Sequence, residues 1–390
     1  MNDLNERFIR EHRTDRTDRL ALMLSGRDDL DAGYVLRQVE GWQKLRTKVP
    51  SWAATDGLHY PPRLALEQCS GEAAARYKAG VAARLLPDAD SLTDLTGGLG
   101  VDFSFMARNF RRATYVERQA TLCRLARHNF PLLGLPHAEI AEADGTDFLQ
   151  TMPPADLIFL DPARRDAAGR KTVFIEDCEP DVAGLCPVLL RKGRRVMVKC
   201  SPMLDAEQAV RTLGCVEEVH VFATEGECKE LLLVLSATAA ATRIFVAEDN
   251  ARLDFTRDEE AAACPELTAH PGTYLYEPGA AVMKAGAFKL TAVRFGLRKL
   301  HPNSHLYTSD SLVEGFPGRT FRINRLSGFG KRELRDFMPP DRRAGLSIRN
   351  FPSTVAELRK RLKLKEGGTA HWFATTLADG SHVLIDCRRI

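Results

Sequence analysis

The stretch Ser91-Leu-Thr-Asp-Leu-Thr-Gly-Gly-Leu-Gly-Val-Asp102 decides how the rest of the chain is read. A short strand ends at Asp94, a glycine-rich turn follows, and a helix starts near Val101. Glycines let the backbone pass close to a ligand and adopt positive φ, and free N–H groups at a helix start favour polar or anionic groups. Downstream, strand and helix signals alternate: residues 114–117, 140–143, 156–160 and 195–199 read as further strands, and 119–129 as a helix. Two later runs, 217–222 and 230–236, flank Ala223-Thr-Glu-Gly-Glu-Cys-Lys229, which reads as a hairpin loop. This alternation predicts an α/β fold, a Rossmann-like doubly wound sheet with an antiparallel edge strand.

Residues 1–86 read as an N-terminal helical region, with apolar residues at helical spacing in 19–24 and 34–45 and punctuation at Pro50 and Pro61-Pro62. A last helix over 71–86 leads into the sheet domain, expected over 87–240. Past Ala241 the pattern changes to short strands, a Pro/Gly/Tyr-rich piece at 271–279 and a basic helix near 353–364. These predict two C-terminal α+β domains, over 241–286 and 287–390.

The chain has 390 residues, 44% hydrophobic and 27% charged, which is ordinary globular composition and excludes wholesale disorder. No stretch approaches the roughly 20 apolar residues of a membrane span, and the N-terminal residues carry no basic-then-apolar export signal. Nine cysteines without a Cys-x-x-Cys pair indicate neither a zinc site nor a disulfide framework, so a reducing cytoplasm is expected. The net charge of +3 hides an asymmetry: residues 281–390 hold 21 Lys+Arg against 9 Asp+Glu, and residues 1–280 hold 34 against 43. A basic module on an acidic one suits either a nucleic-acid partner or a solvated cationic surface.

Acidic residues recur at the expected strand ends. Asp94 with Gly97, Gly98 and Gly100 would cradle a nucleotide-like cofactor. Glu117, 17 residues after Gly100, can take both hydroxyls of a ribose. Asp144 stands where an adenine amino group would lie, and Asp161 ends the fourth strand. Each alone reads equally well as a turn former or helix cap; four in register at strand ends point to one site. Gly98-Leu-Gly100-Val-Asp-Phe103 lacks the last glycine of a dehydrogenase fingerprint, which counts against nicotinamide.

Asp94-Leu-Thr-Gly-Gly-Leu-Gly100 resembles motif I of class I S-adenosylmethionine-dependent methyltransferases, with Thr96 in place of its first glycine. The resemblance implies S-adenosylmethionine as cofactor, held by Asp94, Thr96, Gly97, Gly98, Gly100, Asp102, Glu117 (ribose), Asp144 (adenine) and Asp161. More narrowly, the chain is similar to a bacterial group with a ferredoxin-like insert and a C-terminal THUMP-like domain. The closer match lies in Glu67-Gln-Cys-Ser-Gly-Glu-Ala-Ala-Ala-Arg-Tyr-Lys78, Asp161-Pro-Ala-Arg-Arg165, His301-Pro-Asn-Ser-His-Leu-Tyr-Thr-Ser309 and Ser347-Ile-Arg-Asn-Phe-Pro352. It implies that 241–286 is the ferredoxin-like part, that 287–390 is the THUMP-like part, and that the partner is RNA (tRNA or rRNA).

Base-amine methyltransferases often carry Asp/Asn-Pro-Pro-aromatic at the fourth strand, where the acidic or amide group orients the amine. Here Asp161 and Pro162 remain, while Ala163 and Arg164 replace the later pair. Asp161, Pro162 and Arg164 are therefore the expected catalytic set, with Arg164 stacking on a base or pairing with phosphate. A cofactor-binding RNA-interaction protein without turnover, or a methyltransferase for DNA, protein or a small molecule, stays open. Tyr77 and Lys78 would cap the cofactor, reach the substrate or lie on a helix surface. Lys199-Cys-Ser-Pro202 would line the pocket, with Cys200 packed inside. His301 and His305 lack ligand-spaced partners, so no metal is expected.

Overall fold

The computed structural model describes residues 3–164 and 174–390, with backbone alone at Asp3 and Arg164. Two compact units result: Met1–Val219 with Glu230–Thr242, and His220–Lys229 with Arg243–Ile390.

The first unit opens with helices α1 (Asp3–His12), α2 (Thr17–Leu24), α3 (Ala32–Lys48), α4 (Pro50–Ala53), α5 (Arg63–Gln68) and α6 (Glu72–Leu85). Asp31 caps α3 by accepting from Tyr34 N–H, and Pro50 starts α4, where its missing N–H costs nothing. Leu20, Leu24, Leu30, Val35 and Val39 pack into a small core of their own. Leu45, Val49 and Trp52 instead join the large core beneath the sheet.

The sheet is built from β1 (Ser91–Asp94), β2 (Arg112–Glu117), β3 (Ala138–Glu142) and β4 (Ala155–Leu160), with α7 (Val101–Met106), α8 (Ala120–Leu132) and α9 (Gly145–Thr151) as crossovers. A two-stranded sheet then pairs β5 (Ala163–Arg164) with β6 (Cys178–Glu179). α10 (Val182–Lys192), β7 (Gly193–Cys200), α11 (Ala206–Leu213), β8 (Val216–Thr224) and β9 (Glu227–Leu235) follow, and then β10 (Arg243–Glu248) and β11 (Ala251–Phe255). Among the described residues the nine-stranded order is β11-β10-β8-β9-β7-β4-β1-β2-β3. The strands β3-β2-β1-β4-β7 are mutually parallel, which is the doubly wound α/β architecture.

Two expectations are corrected. The strand that reverses direction is β9, antiparallel to β7, and it is internal rather than at an edge. Its run Leu231–Leu235 is buried at every position, and β8 and β7 on either side pair the backbone groups that an edge strand would leave open. The hairpin loop also shrinks to Glu225 and Gly226, with φ of 56° and 75°. Positive φ at both central residues is the tight turn that matches strand twist, so the flanking strands run on through the expected loop.

Residues 241–286 divide: β10 and β11 extend the nine-stranded sheet, while β12 (Tyr274–Pro278) belongs to a seven-stranded one. That second sheet adds β13 (Arg298–Lys299), β14 (Tyr307–Ser309), β15 (Gly318–Ser327), β16 (Gly345–Arg349), β17 (His371–Thr376) and β18 (His382–Arg389), in the order β13-β14-β12-β15-β18-β17-β16. Leu275, Leu300, Phe321, Phe373 and Ile385 fill one side of it. The basic helix α16 spans Val355–Leu362, capped by Thr354 and Glu357, and buries only Leu358 and Leu362. Helices α12 (Arg257–Ala262), α13 (Ala280–Ala285), α14 (Phe288–Arg294) and α15 (Lys331–Phe337) lie between the strands from β11 onward.

Candidate active site

β1 pairs with β2 on one side and β4 on the other, so the chain changes winding direction at its carboxyl end. In open α/β sheets ligands bind at that switch point. The glycines of the turn are there for identifiable reasons. A Cβ on Gly97 would sit 2.3 Å from the Tyr115 ring, so the turn can lie on that buried tyrosine only as glycine. Gly98 and Gly100 have φ of 57° and 83°, the left-handed region. Gly98 C=O accepts from Tyr115 Oη, and its own N–H donates to Glu117 Oε2 at 2.9 Å. The turn and the end of β2 are thus a single hydrogen-bonded unit.

Thr96 explains its own departure from glycine. Its N–H donates to Asp94 Oδ1 at 2.9 Å, and its hydroxyl accepts the Asp161 N–H at 2.6 Å. A glycine could not make the second bond, which ties the turn after β1 to the residue that ends β4. Asp94 is 1% exposed. Burial pushes its carboxyl well above the ordinary range, and the nearby Asp102, Asp161 and Glu117 add to the shift, against the Thr96 N–H.

Glu117 is buried and its Oε1 also accepts from Gln119 N–H at 2.8 Å. Asp144 lies at the start of α9, and its Oδ1 caps that helix by accepting from Thr146 and Asp147 N–H at 2.8 and 3.3 Å. Asp161 and Pro162 are half-buried. Asp94, Thr96, Asp161 and Glu117 therefore gather around the turn through direct bonds, while Asp144 is held by its own helix. The Arg164 expectation concerns a side chain that lies outside the described residues, as does Arg165.

The structure adds a buried charge cluster that the motif reading overlooked. Lys78 is fully buried, which corrects its helix-surface alternative. Its ammonium pairs with Glu230, lies 3.2 Å from Asp102 Oδ1, and donates to Ser70 Oγ at 3.4 Å. Ser70 Oγ donates to Asp102 Oδ2 at 2.7 Å. Lys199 Nζ reaches Asp161 Oδ2 at 2.5 Å and Asp102 Oδ2 at 4.0 Å. Asp102 thus faces an internal ion network. Burial opposes its ionisation, but Lys78 and Lys199 outweigh it and hold its pKa below the ordinary value. Burial likewise opposes the Lys199 ammonium, and Asp161, Asp102 and Glu230 override it and raise its pKa. Burial raises Glu230.

A sequence signal for Lys78 existed. Ala74, Ala75, Lys78, Val81 and Ala82 share the buried face of α6, so the lysine interrupts an apolar stripe at helical spacing. Glu230 likewise opens the apolar run of β9. Cys200 is buried beside this cluster, where burial pushes its thiol well up. Among the described residues there is no group of three His, Cys, Asp or Glu able to hold a metal ion, and no helix long and apolar enough to cross a membrane.

The chain has counterparts among known proteins. Residues 274–317 match the family described as a ferredoxin-like domain, and residues 318–389 the one described as THUMP domain-like. A candidate methyltransferase from Porphyromonas gingivalis W83, known from its crystal structure, is 36% identical with a TM-score of 0.85, covering 99% of this chain and 97% of its own. An uncharacterized S-adenosylmethionine-dependent methyltransferase of Mycobacterium tuberculosis (strain CDC 1551 / Oshkosh) is 28% identical over 340 residues, 85% of this chain and 87% of that protein. With the switch-point turn, the internal reversed strand and both C-terminal domain matches, the chain belongs to the S-adenosylmethionine-dependent methyltransferase family whose members carry a ferredoxin-like and a C-terminal THUMP-like domain.

Proposed function

We propose that the chain transfers a methyl group from S-adenosylmethionine to a base nitrogen of structured RNA, tRNA or rRNA, in the cytoplasm. The observation that carries the reading is the position of Asp161. Thr96 ties its backbone to the turn after β1, and Lys199 holds its carboxylate at 2.5 Å.

The residues present fit the cofactor. Asp94, Asp102, Asp161, Glu117 and Glu230 outnumber Lys78 and Lys199 around the turn, an excess of negative charge that suits a cationic donor. When bound, the cofactor supplies an electrophilic methyl on a sulfonium. Asp94 would take its amino acid moiety, Gly97, Gly98 and Gly100 would let the backbone pass close to it, and Glu117 would accept its ribose hydroxyls with lone pairs left beyond Gly98 and Gln119. Thr96 and Asp102 would act through Asp161, Ser70 and Lys78 rather than by touch. Asp144, fixed by its own helix, would present its second oxygen to the adenine.

For the acceptor, an ionised Asp161 is acceptor-only and would take a hydrogen bond from an exocyclic amine, aiming the nitrogen lone pair. Pro162 would shape the backbone beside that amine, and Arg164 would meet base or phosphate. Most of the barrier reduction would come from positioning. The basic balance of residues 281–390 and the THUMP-like match support RNA.

A second reading, a cofactor-binding RNA partner without turnover, is favoured by one observation: the Lys199 ammonium occupies an Asp161 oxygen that an amine would use. Labelled S-adenosylmethionine with total RNA from a strain lacking the protein separates the two. Label entering RNA supports transfer, and Asp161→Ala should retain cofactor binding yet lose turnover by ~10²-fold, a larger effect than on affinity. Full activity in that variant would sink the assignment, and label entering protein or small molecules would move the acceptor class.

A further inference from the structure

Two motifs with no part in the methyl-donor site, His301-Pro-Asn-Ser-His305 and Ser347-Ile-Arg-Asn350, meet in the second unit. Asn350 Nδ2 lies 2.9 Å from His301 Nδ1, and Arg349 Nη2 donates to Glu277 Oε1 at 2.5 Å. Glu277, on β12, is 1% exposed and also pairs with Arg319 of β15. In sheet order β15, β18 and β17 separate β12 from β16. On a flat sheet that is about 19 Å at ~4.8 Å per strand, beyond the reach of an arginine and a glutamate. The sheet therefore curls until the end of its edge strand returns to β12, and Glu277 clasps one guanidinium from each side.

The clasp leaves donors facing outward. Among the described residues Arg319 has no hydrogen bond or ion pair besides that to Glu277, and it is exposed. Arg349 gives one N–H of Nη1 to Ile348 C=O and one of Nη2 to Glu277, and three of its five N–H groups remain beyond these bonds. His301 Nδ1 accepts from Asn303 N–H at 3.1 Å as well as from Asn350, which assigns the proton of the neutral ring to Nε2 and makes that nitrogen a further donor. Lys299, 1% exposed, acts with Arg349 on His305; its ammonium donates to the Pro302 carbonyl at 2.9 Å and lies 5.9 Å from the Tyr307 ring centre, with no ion pair among the described residues. Glu260, the carboxylate whose field reaches it, is committed to the N–H groups of Phe288, Lys289 and Leu290. Arg319 and Arg349 thus share one carboxylate, Glu277, which leaves the clasp with a net positive charge.

We infer that the Arg319–Glu277–Arg349 clasp, with His301 and Asn350, is a phosphate-binding subsite that grips the backbone of the RNA substrate. Planar guanidinium N–H pairs match phosphate oxygens in geometry and charge, and a buried carboxylate that pins both arginines removes most of the entropy they would lose on binding. Glu277 acts as a positioning residue through the two arginines. That the bound phosphate belongs to RNA rests on the proposed function, whereas the anion chemistry rests on the clasp.

The full-length protein is used, with Arg319→Gln as the main variant because Arg319 is exposed, Arg349→Gln beside it, and Arg10→Gln on α1, exposed and outside the basic module, as a control. Inorganic phosphate is titrated while the arginine Nε–Hε resonances are followed by NMR. RNA affinity is measured across a salt series, and each variant is melted. Millimolar phosphate should shift the Arg319 and Arg349 signals. Arg319→Gln should weaken RNA binding about tenfold at low salt and reduce the slope of log K against log salt by ~0.7–0.9, one phosphate contact. A variant that melts early yet keeps its RNA affinity and slope shows a clasp that only closes the sheet, and overturns the subsite. Phosphate binding at the clasp without any RNA binding leaves the subsite standing and refutes the RNA reading. RNA binding unchanged by Arg319→Gln does the reverse.

Discussion

On the proposed function, Asp94 is the residue on which cofactor and proton would compete. It is buried, it accepts one N–H from Thr96, and its pKa is pushed up first by burial and then by Asp102, Asp161 and Glu117. A carboxyl raised above its unfolded value is protonated in the fold over a pH range where it is ionised in the unfolded chain. Its contribution to stability is therefore present at low pH and is lost as pH rises through the raised pKa. A cationic ligand reverses the preference. S-adenosylmethionine should bind more tightly as pH rises across that range, with release of a proton seen as buffer-dependent heats in calorimetry. Asp94→Asn should abolish the proton release. Identical heats in buffers of different ionisation enthalpy would refute this account. The motif residues were legible only as a set, because each glycine or acid alone has ordinary uses in turns and caps, whereas acids in register at four strand ends have few. Thr96 was legible only as an oddity, since the partner of its hydroxyl, Asp161 N–H, lies 65 residues away.

At the scale of the element, α6 does more than precede the sheet. Its buried face carries Lys78 against Glu230 of β9 and Asp102 of α7. Removing one member of such a network leaves opposite charges buried without compensation, so Lys78→Met should cost ~3–5 kcal/mol in urea unfolding. Adding Glu230→Gln should recover part of that loss, since the uncompensated carboxylate is then gone and Asp102 keeps Lys199. A Lys78→Met cost below ~1 kcal/mol would mean the pair behaves like a solvated surface bridge. Element existence was readable for β1, β2, β4 and β7 from apolar runs, and the α6 stripe held its anomalous lysine in plain view. Strand order was not readable: nothing local in Leu231–Leu235 says which neighbours cover it, only that both faces must be covered.

At the scale of the molecule, charge separates the two tasks that the proposed function assigns. The basic excess of residues 281–390 accompanies the domain matches at 274–317 and 318–389, while the turn after β1 is surrounded by carboxylates. Phosphate contacts release counterions, so RNA affinity should fall at least tenfold between ~50 and ~200 mM salt, as measured by fluorescence anisotropy. S-adenosylmethionine affinity, set by buried groups that salt screens poorly, should change far less over the same range. Equal salt dependence of the two would argue against a basic RNA-binding surface distinct from the methyl-donor site. By itself the sequence determined the α/β alternation, the glycine-rich turn, the acids at the strand ends and the basic C-terminal third. These follow from local rules of periodicity, backbone freedom and composition. Only the tertiary structure decided that β9 is internal, that Lys78 and Lys199 sit among carboxylates beneath the turn, and that Arg349 returns to Glu277 across a curled sheet. Each of those depends on through-space distances between residues remote in the chain. Burial and Coulomb energy act on such distances, and no local pattern encodes them.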